Sequence, residues 1–331
     1  MNKIPLERTL VGAYRFLFTK IVSIIGTLWL PIVVFCALVG GLVWLSVPHE
    51  WFTGHFPQFH DKHPDPATVL AMLKPLLICY PLIIVIAFVM MSMMFVGLMR
   101  HALGQKKTMT FVYFSLGADV WRMALAFFLL YVVLLLLVAV LVAIFIAVSV
   151  FVAPMVAHGP ALAIKIVLGI VEALFYFYAV FRLFFFLPAV VVAEKRIGLG
   201  RAWALGGGNF WRIFLTVLLI VIPVGFVAGI IIQMTVMPAF MSLVLTLPHN
   251  PQPEHVAAVI RTMCSVLPAI VAISIVQRIV TMGLMAGAMG TAYNAVTAAP
   301  EAPVVPEAPA APAAPEGPEL PAATAEGTTS E

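Results

Sequence analysis

Charge is what this sequence has least of. Only 10% of its 331 residues are Asp, Glu, Lys or Arg, where a water-soluble domain carries roughly 25%. Aspartate is nearly absent, with Asp61, Asp65 and Asp119 making up the whole set. Catalysis by paired carboxylates, or by a Ser/His/Asp arrangement on a soluble scaffold, has almost nothing to draw on. The three cysteines, Cys36, Cys79 and Cys264, each fall in or beside an apolar run, with neither a disulfide framework nor the spacing of a zinc site. No Gly-Lys-Ser or Gly-Lys-Thr follows the glycines at Gly206, Gly207 and Gly208, so a nucleotide-binding P-loop is unsupported.

Apolar surface is what the chain has in excess. The composition is 63% hydrophobic, with a mean hydropathy of +1.12. About 20 apolar residues suffice to cross a hydrocarbon core. Runs of that kind occupy residues 21–47, 75–99, 123–153, 161–193, 213–247 and 256–296. The expected fold class is therefore all-α, a polytopic membrane helical bundle of about six transmembrane helices. The last two runs exceed a straight span and should include a turn at or outside the membrane. The first run is too long for a cleaved signal peptide and lacks the small-x-small pattern after it.

Basic residues alternate from side to side. Lys3, Arg8, Arg15 and Lys20 precede the first run; Arg100, Lys106, Lys107 and Arg122 bracket the second connection; Lys195, Arg196, Arg201 and Arg212 bracket the fourth. The opposite side holds Lys62, Lys74, Lys165 and Arg261. Basic loops stay cytoplasmic, which places both termini inside and agrees with six spans. The formal charge of +4 follows from this bias, and no nucleic-acid partner is expected. Residues 1–20 read as a cytoplasmic interfacial helix, because Leu6, Leu10, Ala13 and Leu17 recur at helical spacing; a plain extension of the first span fits equally well. The six spans fill residues 21–297. Residues 298–331 carry a proline at every third position from Pro300 to Pro321, a spacing that suits an extended polyproline rod. This acidic tail is expected to be disordered and cytoplasmic.

One segment occurs twice. Gly117-Ala-Asp-Val-Trp-Arg-Met-Ala-Leu125 aligns without gaps onto Gly207-Gly-Asn-Phe-Trp-Arg-Ile-Phe-Leu215. A second echo pairs Gly97-Leu-Met99 with Gly283-Leu-Met285. The offsets, 90 and 186 residues, suggest repeated helical hairpins inserted in one direction. In each copy the parts have a physical reading as interfacial anchors. Asp119 and Asn209 are N-cap residues. Trp121 and Trp211 suit the headgroup belt, and Arg122 and Arg212 can reach lipid phosphates. A phosphate site at the helix start is the rival reading; the anchor explains more of the matched positions.

The element Ala202-Trp-Ala-Leu-Gly-Gly-Gly-Asn-Phe-Trp-Arg212, set before a long apolar run, resembles a bacterial multi-pass membrane family. That family is similar to the membrane domain sometimes fused to glycerophosphoryl diester phosphodiesterases, and to its stand-alone relatives. The resemblance implies a multi-pass protein of the bacterial inner membrane. It carries no activity over, because no soluble stretch here can hold the barrel of the enzyme.

Two further groups of residues stand out. The first outward loop holds His49, His55, His60 and His63, residue types that ligate Zn, Cu or Ni. Their spacing matches no helical zinc motif, so no metal and no cofactor is assigned. Within the apolar runs, Glu172, Arg182, Gln233, Gln277 and Arg278 are polar residues where polar residues are costly. Lys165 is seven residues from Glu172, on the same helical face, and can pair with it. Arg182 and Arg278 can extend toward the interface. The expected function is a non-enzymatic membrane scaffold or accessory protein, whose partners are membrane lipids and a membrane-protein partner or second copy. The alternative is a transporter or permease for a small solute or lipid, with Glu172, Arg182 and Arg278 near its path.

Overall fold

The computed structural model describes residues 3–46, 66–106, 108, 111–151, 158–246 and 253–298. These residues are all-helical, with no strand among them. The helices are α1 (Leu6–Ser46), α2 (Pro66–Ala102), α3 (Ala118–Phe151), α4 (His158–Phe184), α5 (Leu187–Glu194), α6 (Leu199–Gly206), α7 (Phe210–Thr246) and α8 (Pro253–Thr297). Among the described residues, six segments are long and apolar enough to cross a membrane, α4 and α5 together forming the fourth. That is the signature of a multi-pass membrane protein. Pro31, Pro223, Pro238 and Pro268 lie inside helices without ending them, as membrane helices tolerate. The fourth span differs from the expected continuous run: its helix breaks at Phe185 and Phe186 and restarts with Pro188 in the first turn of α5.

The first span also has a break. The sequence places the division between arm and span at residue 20, and Lys20 leaves helical geometry, with φ −119° and ψ 16°. The segment before it is helical, and Leu6 and Leu10 of its apolar stripe are partly buried. Ala13 and Leu17 are buried and pack on α8. A Cβ added at Gly287 of α8 would lie 3.0 Å from the Ala13 Cα and 2.9 Å from the Phe16 Cβ. This approach has a physical basis. Lipid tails are as apolar as leucine, so membrane helices associate through close packing of small residues. Gly283, Gly287 and Thr291 supply that stripe on α8.

Packing is concentrated at one end of the bundle. The first half of α1, the last turns of α2, the first turns of α3 and α7 and the last turns of α8 share one buried cluster. Helix α5 sits at its centre, touching α2, α3, α6 and α8, with Leu187 and Ala189 to Val192 at most 1% exposed. The α2–α3 connection closes over this end: Tyr113 is buried, and Trp29 of α1 donates to the Phe111 carbonyl at 2.8 Å. Burial pushes the Tyr113 phenol above its ordinary range. Among the described residues, the other halves of α3, α4 and α7 are open. Leu135, Leu136 and Ile146 of α3, Leu162, Val167 and Leu174 of α4, and Phe226 and Met234 of α7 are all exposed.

Candidate functional site

The polar side chains gather at the packed end, where the two matched segments begin their helices. The first begins earlier than expected. Helix α3 starts at Ala118, and Gly117 supplies the carbonyl for Val120 N–H. Asp119 therefore lies inside the first turn instead of capping it. Its carboxylate accepts from Arg100 at 2.5 Å and from Arg122 at 2.8 Å. The ion pair ties the end of α2 to the start of α3, and it occupies the Arg122 side chain that the sequence offers to lipid phosphate.

The second segment makes a different tie. The Asn209 carbonyl accepts the Ile213 N–H, so its backbone stands at the cap position of α7. Its side-chain oxygen accepts the backbone N–H of Ile4 at 3.1 Å, and Arg212 donates to the Ile4 carbonyl at 2.6 Å. Asn209 is 2% exposed and Ile4 1%. The pair holds both backbone groups of a residue 205 positions away. Each such bond contributes about 1 kcal/mol, and a buried partner left unpaired costs about 1–3 kcal/mol. Trp121 and Trp211 point outward, 56% and 75% exposed, as a headgroup belt requires. Beyond them, equivalent positions are buried in both helices: Met123 and Ile213, Ala126 and Thr216, Leu130 and Ile220.

The three glycines before α7 have separate causes. Only Gly208 adopts a left-handed backbone, with φ +72°. Gly206 and Gly207 lie against Arg182 of α4. A Cβ on Gly206 would sit 2.9 Å from the Arg182 carbonyl oxygen, and one on Gly207 would sit 3.0 Å from its guanidinium. The Arg182 side chain turns toward α6. Its guanidinium lies 4.0 Å from the Trp203 ring centre, donates through Nε to the Trp203 carbonyl at 3.0 Å and bonds the Tyr178 hydroxyl. The Trp203 carbonyl belongs to the last turn of α6, where carbonyls lack helical partners and a cation is favourable. Arg182 thus joins α4 to the α6–α7 turn.

Glu194 is a fourth tie. Its carboxylate accepts from Arg196 at 2.5 Å, from Arg201 at 3.3 Å and from the Tyr293 hydroxyl at 3.2 Å, joining α5 and α6 to the end of α8. Sequence reasoning passes over Glu194 and assigns no packing role to Tyr178, Trp203 or the Gly283–Gly287 stripe. The stripe was the legible one, being a small-xxx-small pattern in an apolar run.

The remaining intramembrane polar residues are not brought together. Glu172 keeps a buried carboxyl oxygen without a hydrogen-bond partner, and no ion pair joins it to Lys165 among the described residues. Gln233 is exposed on α7. Among the described residues, two of the cavities flank α8. One of about 540 Å³ lies against α7 and has Gln277 in its wall, with Tyr14 and Pro223. The other, of about 430 Å³, lies between α1, α2 and α8 and is lined by Arg278. Glu172 and Arg182 line neither. His49, His55, His60 and His63, and the proline-rich tail, lie outside the described residues. Among the described residues no three His, Cys, Asp or Glu side chains are grouped as metal ligands.

No protein-family model, no curated protein and no solved structure matches this chain.

Proposed function

We propose that this protein is a non-enzymatic scaffold or accessory protein of the bacterial inner membrane, acting through lipid contacts and partner helices. One observation carries the reading: polar ties and close packing hold the bundle at one end, while the outer halves of α3, α4 and α7 present exposed apolar faces. Faces of this kind match lipid or the transmembrane helices of another protein. Arg100, Arg122, Arg196, Arg201 and Arg212 all belong to the tied end, which by the retention of basic loops is the cytoplasmic one. Ile4 and Tyr293 bond to that same end, so both termini are assigned to the cytoplasm. The equal burial of Met123 and Ile213, and of Ala126 and Thr216, favours reading the matched segments as repeated hairpins.

Purification of the full chain in native lipid nanodiscs, followed by protein mass spectrometry, tests this. A stoichiometric membrane-protein partner is the expected result; a chain that co-purifies with no protein contradicts the scaffold. Deleting residues 300–331 then asks whether the tail takes part, by loss or retention of that partner.

The transporter reading retains one observation in its favour, the unpartnered Glu172 oxygen. On the scaffold reading Glu172 serves packing, so Glu172→Gln lowers the melting temperature or the abundance. Loss of solute or lipid flux in proteoliposomes, at unchanged melting temperature, would instead establish a transport path.

A further inference from the structure

The cavity between α1, α2 and α8 combines an apolar wall with one cation. Phe35, Cys36, Met91 and Met94 line it, and Arg278 and Ser274 stand on its α8 side. Arg278 makes one described polar contact, from Nη2 to the Met91 sulfur at 3.3 Å. A thioether is a weak acceptor, so most of the guanidinium donors gain nothing from it. No described carboxylate pairs with Arg278.

The depth of the site sharpens the difficulty. We take Arg100, ion-paired to Asp119 at the tied end, as the headgroup level on α2, because basic side chains anchor at that level. Met91 is nine residues earlier, roughly 14 Å along the helix, which is close to half of a hydrocarbon core about 30 Å thick. A cation held there without an anion is costly. The side chain bonds Met91 instead of extending to the interface, which is the outcome the sequence suggests for it. Arg182, the other intramembrane arginine, meets the same problem with two aromatic rings and a carbonyl. Arg278 has no such surroundings; it has a cavity.

We infer that this cavity is a binding site for an anionic phospholipid of the surrounding bilayer, with an acyl chain along the methionine-lined wall and a headgroup oxyanion drawn in to Arg278. The chemistry fits on both counts. Methionines adapt to a flexible chain, and a guanidinium pairs a phosphate through two parallel hydrogen bonds. The volume of about 430 Å³ falls within the usual range for a small-molecule site, about 300–1,000 Å³. A zwitterionic lipid offers the same chain but carries its own cation, so charge selects between the two.

The full chain reconstituted in nanodiscs of equal phosphatidylglycerol and phosphatidylcholine, then transferred to detergent for native mass spectrometry, tests the site. Wild type is expected to retain phosphatidylglycerol over phosphatidylcholine by roughly tenfold, the size of one charge-assisted contact. Arg278→Gln is expected to lose the preference and Arg278→Lys to keep part of it. Ala87→Phe, which fills the cavity from α2 without touching the charge, is expected to lose the retained lipid. Unchanged selectivity in Arg278→Gln overturns the proposal, and so does retention of a free fatty acid in place of the phospholipid. Should Arg278→Gln fail to fold, Cys36 reports on the native chain, since it lies in the same wall and is exposed. Phosphatidylglycerol is expected to slow its alkylation by a membrane-permeant maleimide. A rate equal in the two lipids overturns the site.

Discussion

The two ends of this bundle solve the problem of membrane packing differently. At the tied end, small residues let backbones approach, α5 fills the centre, and Asp119, Asn209, Arg182 and Glu194 each bond one element to another. At the other end the same helices expose leucine, valine and phenylalanine along their outer halves. Hydrophobicity cannot account for the contrast, since both ends are strongly apolar and lipid competes equally for both. What differs is steric fit and directional bonding, the two forces that survive where water is absent.

Matched substitutions break the comparison most sharply. Gly287→Val sets a side chain against the Ala13 Cα and the Phe16 Cβ, and overpacking of this kind costs about 1–3 kcal/mol or more. Gly229→Val on α7 meets nothing within 4 Å, and its effect is expected within about 0.5 kcal/mol. Thermal unfolding in detergent should therefore separate the two variants by several degrees, and equal losses would contradict the contrast. Next in size is Asn209→Ala, which leaves the buried Ile4 N–H without its acceptor. A loss of about 1–3 kcal/mol is expected, together with faster hydrogen exchange in residues 4–10. An unchanged exchange rate there would show that the Ile4 tie does not hold the arm. Smaller than the loss of the Ile4 tie is the effect expected of Arg182→Lys. The ammonium keeps the charge but loses the planar contact with Trp203, so the change should cost about 0.5–2 kcal/mol. Quenching of Trp203 fluorescence by added iodide should rise in that variant, and an unchanged signal would argue against the stack.

Much of the fold was legible because apolar run length decides it. The expected run at 123–153 and the helix Ala118–Phe151, or 256–296 and Pro253–Thr297, differ by a few residues at their ends. Those differences have local causes: Gly117 supplies the first helical carbonyl, which puts Asp119 inside the turn. The break at Phe185 and Phe186 was hidden because a proline such as Pro188 is tolerated within membrane helices as often as it ends them. Helix α6 carried a readable signal, Leu199, Ala202 and Leu205 on one face, within a stretch read only as the fourth connection. The glycines were half legible. Gly208 does turn the chain, but Gly206 and Gly207 are small because Arg182, more than twenty residues earlier, packs on them. Asn209 tells the same lesson. Its residue type announced a helix start, while its side chain serves the distant Ile4. Local chemistry could be read from the sequence; the partners that tertiary packing brings to it could not.

The central claim is that one end is held by the chain itself and the other is left for neighbours. Spin-label distance measurements in nanodiscs test it most directly, with Cys36, Cys79 and Cys264 replaced by serine. One label pair would join Val11 and Trp211 at the tied end, and a second Phe151 and Met241 at the other; all four positions are exposed. The account predicts a narrow distance distribution for the first pair and a broad one for the second, narrowing when a partner or second copy binds. Equally narrow distributions for both pairs in the isolated chain would contradict it.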